Sequence, residues 1–239
     1  MTNNNNTAGR TQSSGIRYDV DFQIRKCLSQ ADLYDEYVLE IRGNIITTKV
    51  NPDIEQDSQD IGCIKARLIQ MGRIINDGAN IFELYDSFDQ YFHDIYGELF
   101  DVENDEFTET LQRQFSELGS DSNVLLIDDV EVLPAYRGKR LGLAAAHRAI
   151  DVFGPWDCLA IVPLYPPQFH EHRDNIKWKE KMLAGTFAKN EEAARAKLEQ
   201  YWCILGFERI WDSRYICALC TNNKYPSIQD VCPDLKLGL

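Results

Sequence analysis

The run VEVLPAYRGKRLGLAAAHRAI, residues 130–150, constrains the fold more than any other segment of the chain. It begins as the end of a strand, passes Pro134 and a basic, glycine-bearing turn, and continues into a helical face of Leu141, Ala145, Ala149, Val152 and Phe153, with Gly154 and Pro155 as its stop. Upstream, NVLLIDDVEV (123–132) predicts a strand whose two central aspartates interrupt an apolar run. Downstream, CLAIVPLY (158–165) is the apolar run expected of a strand covered on both faces. Residues 123–165 therefore predict a strand–helix–strand unit.

The turn inside that unit is suited to an anion. Free amides at a helix start converge on one point, the macrodipole adds partial positive charge, and small residues let a ligand approach the main chain. Arg137, Lys139 and Arg140 add charge to the same place, in a chain whose formal net charge is −13. A diphosphate answers to that arrangement; the alternative is that these residues begin a solvated helix.

The rest of the chain predicts a mixed α/β domain without internal repeats. Residues 1–16 are polar and aperiodic and read as a disordered tail, with the domain spanning 17–225 and a C-terminal tail over 226–239. Residues 37–50 alternate and predict a hairpin or one bent strand, with Gly43-Asn44 as a turn or bulge signal, and 61–75 predict a further strand. Ile81, Leu84, Tyr85, Phe88, Phe92, Ile95, Tyr96 and Leu99 form the stripe of one amphipathic helix over 81–100, and a weaker helix is expected over 106–118. Asn190 predicts an N-cap for a helix whose buried face carries Ala194, Leu198, Tyr201, Trp202 and Leu205, ended by Gly206. Two short strands, 207–211 and 215–220, complete the chain, and the long excursion 166–190 reads as a lid or acceptor loop.

Charge and cysteine usage narrow the function classes. A surface so acidic repels a phosphate backbone, which argues against nucleic acid as partner; it either draws in small cations such as amines and polyamines or serves only solubility, the default unless a site supports the first. Seven cysteines without a framework pattern predict reduced thiols. With no apolar segment long enough for a bilayer and no signal-peptide core, the expectation is a cytoplasmic protein without membrane association. Cys217, Cys220 and Cys232 lack a fourth ligand at a usual spacing, and His170 and His172 read as loop residues, so no metal is expected.

Two segments together resemble the GNAT superfamily of N-acetyltransferases. The family's glycine-bearing turn maps onto Arg137, Arg140 and Gly142, after a strand ending at Val132; Arg140 stands where the family has its first glycine. KLEQYWCILGFERI (197–210) is similar to the family's second motif, a helix ending in aromatic residues and then Leu-Gly-Phe-Glu, and the likeness covers roughly residues 123–220 in the family's order. The resemblance implies an α/β (α+β) fold with a mixed, mostly antiparallel sheet flanked by helices and a splayed strand pair. It implies acetyl-CoA as cosubstrate and an amine on a small molecule or protein as acceptor. The pyrophosphate would lie on the amides of Gly138, Lys139, Arg140, Leu141, Gly142 and Leu143, beside Arg137, and the pantetheine arm would pair with the main chain of Val130 to Val132.

In that chemistry the amine attacks the thioester directly, and an amide near Val132 is expected to stabilise the oxyanion. An amine of pKa near 10.4 must lose a proton first, and Glu131, opposite in direction to Val130 and Val132, is the expected base, ahead of Asp128 and Asp129. Trp202 occupies the position at which the family often has a proton-donating tyrosine. Tyr201 lies one residue early, and both read as core residues. Two other readings stay open: a coenzyme A-binding sensor without turnover, and a module for another phosphorylated ligand.

Overall fold

The computed structural model describes residues 15–26, 35–50, 57–88, 90–154, 157–169, 176–211, 213, 215–233 and 235. Its strands are β1 (Gly15–Arg25), β2 (Val38–Val50), β3 (Asp57–Ile69), β4 (Asn123–Val132), β5 (Cys158–Pro163), β6 (Glu208–Arg209) and β7 (Ile216–Cys220). Its helices are α1 (Met71–Asp77), α2 (Ile81–Asp86), α3 (Gln90–Leu99), α4 (Glu109–Gln114), α5 (Leu141–Phe153), α6 (Ile176–Lys181), α7 (Glu191–Cys203) and α8 (Ile228–Val231). The strands form one seven-stranded sheet in the order β1-β2-β3-β4-β5-β7-β6. Every ladder is antiparallel except β4 with β5, which are parallel and connected through α5. The expected mixed, mostly antiparallel sheet flanked by helices is present.

Both faces of the sheet centre are buried, which is why β4 and β5 read as continuous apolar runs. Leu125 and Ile127 of β4 and Ala160 and Val162 of β5 meet α5, Trp202, Leu205 and α8 on one side. Val124, Leu126, Leu159 and Ile161 meet Tyr85, Phe92, Tyr96 and Leu99 of α2 and α3 on the other. Leu125, Leu126, Leu159 and Ile161 are fully enclosed.

Several sequence expectations change in detail. β2 runs straight through Gly43, where a Cβ would sit 2.6 Å from a methyl of Ile64 and 2.9 Å from the Phe22 ring; the glycine clears room for cross-strand side chains and makes no turn. The strand expected over 61–75 ends at Ile69. Met71 and Ile74 are buried three residues apart while Ile75 is exposed, a helical pattern that α1 takes up and Gly78 stops in the left-handed region. The stripe over 81–100 is divided between α2 and α3, and the helix of 106–118 contracts to α4, capped by Thr108. β1 was not anticipated, although Tyr18, Val20 and Phe22 alternate onto the α5 side. Asn190 caps α7 by accepting the Ala193 amide at 2.9 Å, and Gly206 ends that turn at φ +94°. Residues 226–233, set apart as a tail in the sequence reading, include α8, whose Val231 is fully buried against the α5 core. Residues 1–14, with His170 and His172, lie outside the described residues.

One feature of the sheet positions the site. β4 pairs with β5 only from Asn123/Cys158 to Leu126/Ile161; beyond that β4 continues to Val132 beside β3 alone, and β5 continues beside β7. A bulge in β4 falls at this parting, where Asp128 is the extra residue between the pairs Ile127/Ala66 and Asp129/Lys65.

Candidate functional site

The Leu133 amide bonds the Ile61 carbonyl at 2.8 Å. Backbone groups alternate in direction along an antiparallel ladder, so those of Val132 and Val130, paired with Gly62 and Ile64, point away from β3 toward the side β5 has left. β3 comes this close because residue 62 is glycine: a Cβ there would collide with the Glu131 carbonyl. The main-chain edge expected at Val130 and Val132 is thus present, with one qualification. The Val132 carbonyl already accepts Arg137 Nε at 3.0 Å.

From Val132 the chain turns through Pro134–Tyr136, one turn of 3₁₀ helix. Gly138 follows at φ +79°, and Arg140, at φ +57° and ψ 21°, stands at the N-cap of α5, where its own side chain makes no cap bond. The first bond of the helix is Ala144 N–H to the Arg140 carbonyl at 3.0 Å, so the amides of Leu141, Gly142 and Leu143 have no partner within the helix. A left-handed arginine costs about 1–2 kcal/mol relative to the ordinary helical region. It is held there from both sides. Arg140 Nη1 donates to the Val231 carbonyl at 2.8 Å, and Cys232 Sγ rests 3.4 Å from the Arg140 carbonyl.

The three cations of the turn have neutral partners. Besides Val132, Arg137 binds the Met182 carbonyl at 2.9 Å and lies 4.8 Å from the centre of the Phe187 ring. Burial lowers its pKa and the charge of Glu131 opposes that, but a guanidinium stays protonated. Lys139 Nζ binds the Tyr18 hydroxyl at 3.1 Å, and Arg140 binds Val231 as above. Among the described residues no ion pair includes any of the three. Positive charge outside any ion pair among the described residues, at a helix start whose N-cap side chain makes no cap bond, suits a polyphosphate in so acidic a chain.

Tyr201 takes a place the sequence did not reveal. A Cβ on Gly142 would lie 2.6 Å from its hydroxyl and 3.0 Å from Val130 Cγ1, so the phenol sits at the first turn of α5, beside the open edge. Burial holds its pKa well above the usual range, and the Leu143 amide acting on its oxygen pulls the other way. Trp202 is core, edge-on to Phe207.

Glu131 faces the opposite side from Val130 and Val132, as alternation requires. Its Oε1 accepts Trp178 Nε1 at 2.8 Å, placing α6 across the opening. The bulge turns neighbouring acids to the same side. Asp128 makes a two-pronged pair with Arg67 at 2.9 and 2.5 Å, and Asp129 lies 3.8 Å from Lys65. Cys63, opposite Glu131, has its thiol pKa raised first by burial and then by Glu131 and Asp129. This face therefore gathers three carboxylates together with Arg67 and Lys65, whereas the turn holds three cations outside any ion pair among the described residues. Trp178 and Arg67 escaped the sequence reading because neither belongs to a recognisable motif and both reach the site only through tertiary packing.

Cys217 and Cys220 face opposite cores, three residues apart on one strand. Among the described residues no helix is long and apolar enough to cross a membrane. Compared with protein-family models, with curated proteins and with solved structures, the chain finds no match in any of the three.

Proposed function

We propose that the chain is an N-acetyltransferase that transfers an acetyl group from acetyl-CoA directly to an amine, in the manner of the GNAT superfamily that its two motifs resemble. The observation that carries the reading is the start of α5, which its N-cap residue leaves without a side-chain cap bond and which is furnished with Arg137, Lys139 and Arg140, directly beside a strand edge whose outward groups belong to Val130 and Val132. Amides of the turn from Gly138 to Leu143 would receive the pyrophosphate. The Val130 and Val132 edge would receive the pantetheine amides in strand-like pairing, with Arg137 releasing the Val132 carbonyl.

The chemistry then uses groups already in place. The amine nitrogen bonds to the thioester carbonyl carbon while Glu131, directly or through water, takes its proton. A backbone amide at the outward edge near Val132 stabilises the oxyanion, and collapse breaks the carbon–sulfur bond. The departing thiolate takes the proton of Tyr201, and solvent returns a proton to the phenolate as Glu131 releases the one it took. Tyr201 thereby fills the role that Trp202 cannot.

A second reading has its own support. Arg140 stands where the family has its first glycine and Trp202 where it often has its proton donor, as expected of a coenzyme A-binding protein with little turnover. Calorimetric titration with acetyl-CoA, free coenzyme A and ATP tests both. Saturable binding of acetyl-CoA but not ATP is expected, and thiol release with an amine present separates enzyme from sensor. Folded protein that binds neither coenzyme A nor acetyl-CoA overturns both readings.

A further inference from the structure

We propose that the cavity at the carboxyl end of β5 is the acceptor pocket and that it selects an aliphatic amine carrying a second positive charge, a diamine or polyamine. The assignment of the pocket to an acceptor rests on the acetyltransferase reading; its preference for a polycation rests on the pocket itself.

The cavity measures about 380 Å³ and is lined by His93, Asp94 and Glu98 of α3 and by Tyr165 and Tyr215. Asp94 and Glu98 are one helical turn apart and share a face. Asp94 accepts the Gln90 amide at 2.8 Å, and neither carboxylate belongs to an ion pair among the described residues. The nearby basic side chains already have partners: His93 lies 3.3 Å from Asp86, and Arg195 binds Glu191 at 2.5 Å while lying 4.7 Å from the centre of the Tyr215 ring. Opposite the acids, Tyr165 and Tyr215 stack with centroids 5.3 Å apart. Carboxylates beside phenol rings attract an ammonium through charge, and the rings offer its methylene chain an apolar wall.

The requirement for two charges follows from the reaction. The nitrogen that attacks must be neutral when it does so, and a neutral nitrogen gives Asp94 and Glu98 nothing to hold. Recognition by these carboxylates persists through the reaction only if the acceptor keeps a second ammonium elsewhere on its chain. The pocket also lies on the reactive side of the sheet. The ring of Tyr165 meets that of Tyr91 at 6.1 Å, Arg67 lies 6.0 Å from the centre of the Tyr91 ring, and Arg67 holds Asp128 in the β4 bulge. That row of contacts joins the pocket to the strand carrying Glu131.

The test is calorimetric titration of the full chain with spermidine, at fixed ionic strength and without acetyl-CoA. Wild type is expected to bind spermidine saturably and butylamine more than tenfold more weakly, and Asp94→Asn/Glu98→Gln to weaken spermidine at least tenfold. Asp57→Asn/Asp60→Asn, an equal change of charge on the exposed end of β3, is expected to leave affinity unchanged. No binding by wild type, or equal losses in the two double variants, overturns the pocket. Separate titration with acetyl-CoA keeps the two readings distinct: spermidine binding without acetyl-CoA binding upholds the polycation site and removes acyl transfer. Acetyl-CoA binding without spermidine binding does the reverse.

Discussion

A phenol at the first turn of α5 can donate a proton only if it still has one at the working pH. Burial raises the pKa of Tyr201 above its usual value near 10, so its protonated form persists to higher pH than that of a free tyrosine. Loss of the donor with rising pH is thus displaced upward, and no alkaline fall in kcat below about pH 10 should belong to Tyr201. Tyr201→Phe keeps the ring and its packing against Trp202 and removes only the hydroxyl. Acetyl-CoA affinity is expected to stay within a few-fold of wild type while kcat falls on the order of 100-fold, as pre-steady-state thiol release would show. An unchanged kcat would assign the proton to water. The hydroxyl was illegible in the sequence because its position depends on how α7 is rotated against α5, and the motif's register pointed one residue further, to Trp202.

At the scale of elements, legibility followed the range of the forces involved. β4, α5 and the cap of α7 were read closely because their signals are local: an apolar run, a glycine-bearing turn, and an asparagine whose side chain accepts the amide three residues on. α1, at seven residues, spans about two turns and leaves little helical period to see, whereas β1 alternates apolar and polar residues from Ile16 to Arg25, a local strand signal that was legible. The β4 bulge was invisible because it is a mismatch between two strands, and one sequence contains no register. Its anchor is the Arg67–Asp128 pair, with side chains 17% and 18% exposed, and the Arg67 guanidinium also lies 4.0 Å from the centre of the Phe92 ring. Arg67→Ala removes a two-pronged ion pair from a largely buried place and opens space beside Phe92. A loss of roughly 2–4 kcal/mol in chemical denaturation is expected, with the double variant Arg67→Ala/Asp128→Ala recovering part of it.

For the whole molecule, the sheet divides the chain into an α5 side and an α2–α3 side, and the basic turn before α5 lies where the first meets the C-terminal segment. Ser227 and Asp230 bond reciprocally to start α8, which places Ile228, Val231 and Cys232 in the α5 core and the Val231 carbonyl on Arg140. The sequence reading separated residues 226–239 from the domain because a four-residue helix leaves almost no periodic trace; its contribution is tertiary. Ending the chain at Tyr225 removes two fully or nearly buried aliphatic side chains, worth roughly 1.5–3 kcal/mol each as an upper estimate, from a total stability of about 5–15 kcal/mol. It also frees Arg140 from the contact opposing its left-handed strain. The shortened chain is therefore expected to melt at least 5 °C lower and to bind acetyl-CoA more weakly even well below its melting temperature. Arg140→Gly separates the two effects, since glycine accepts φ +57° without strain but cannot reach Val231. If the turn's shape is what α8 maintains, Arg140→Gly in the shortened chain restores much of the acetyl-CoA affinity without restoring the melting temperature. Recovery of neither would mean that the guanidinium itself binds the phosphates.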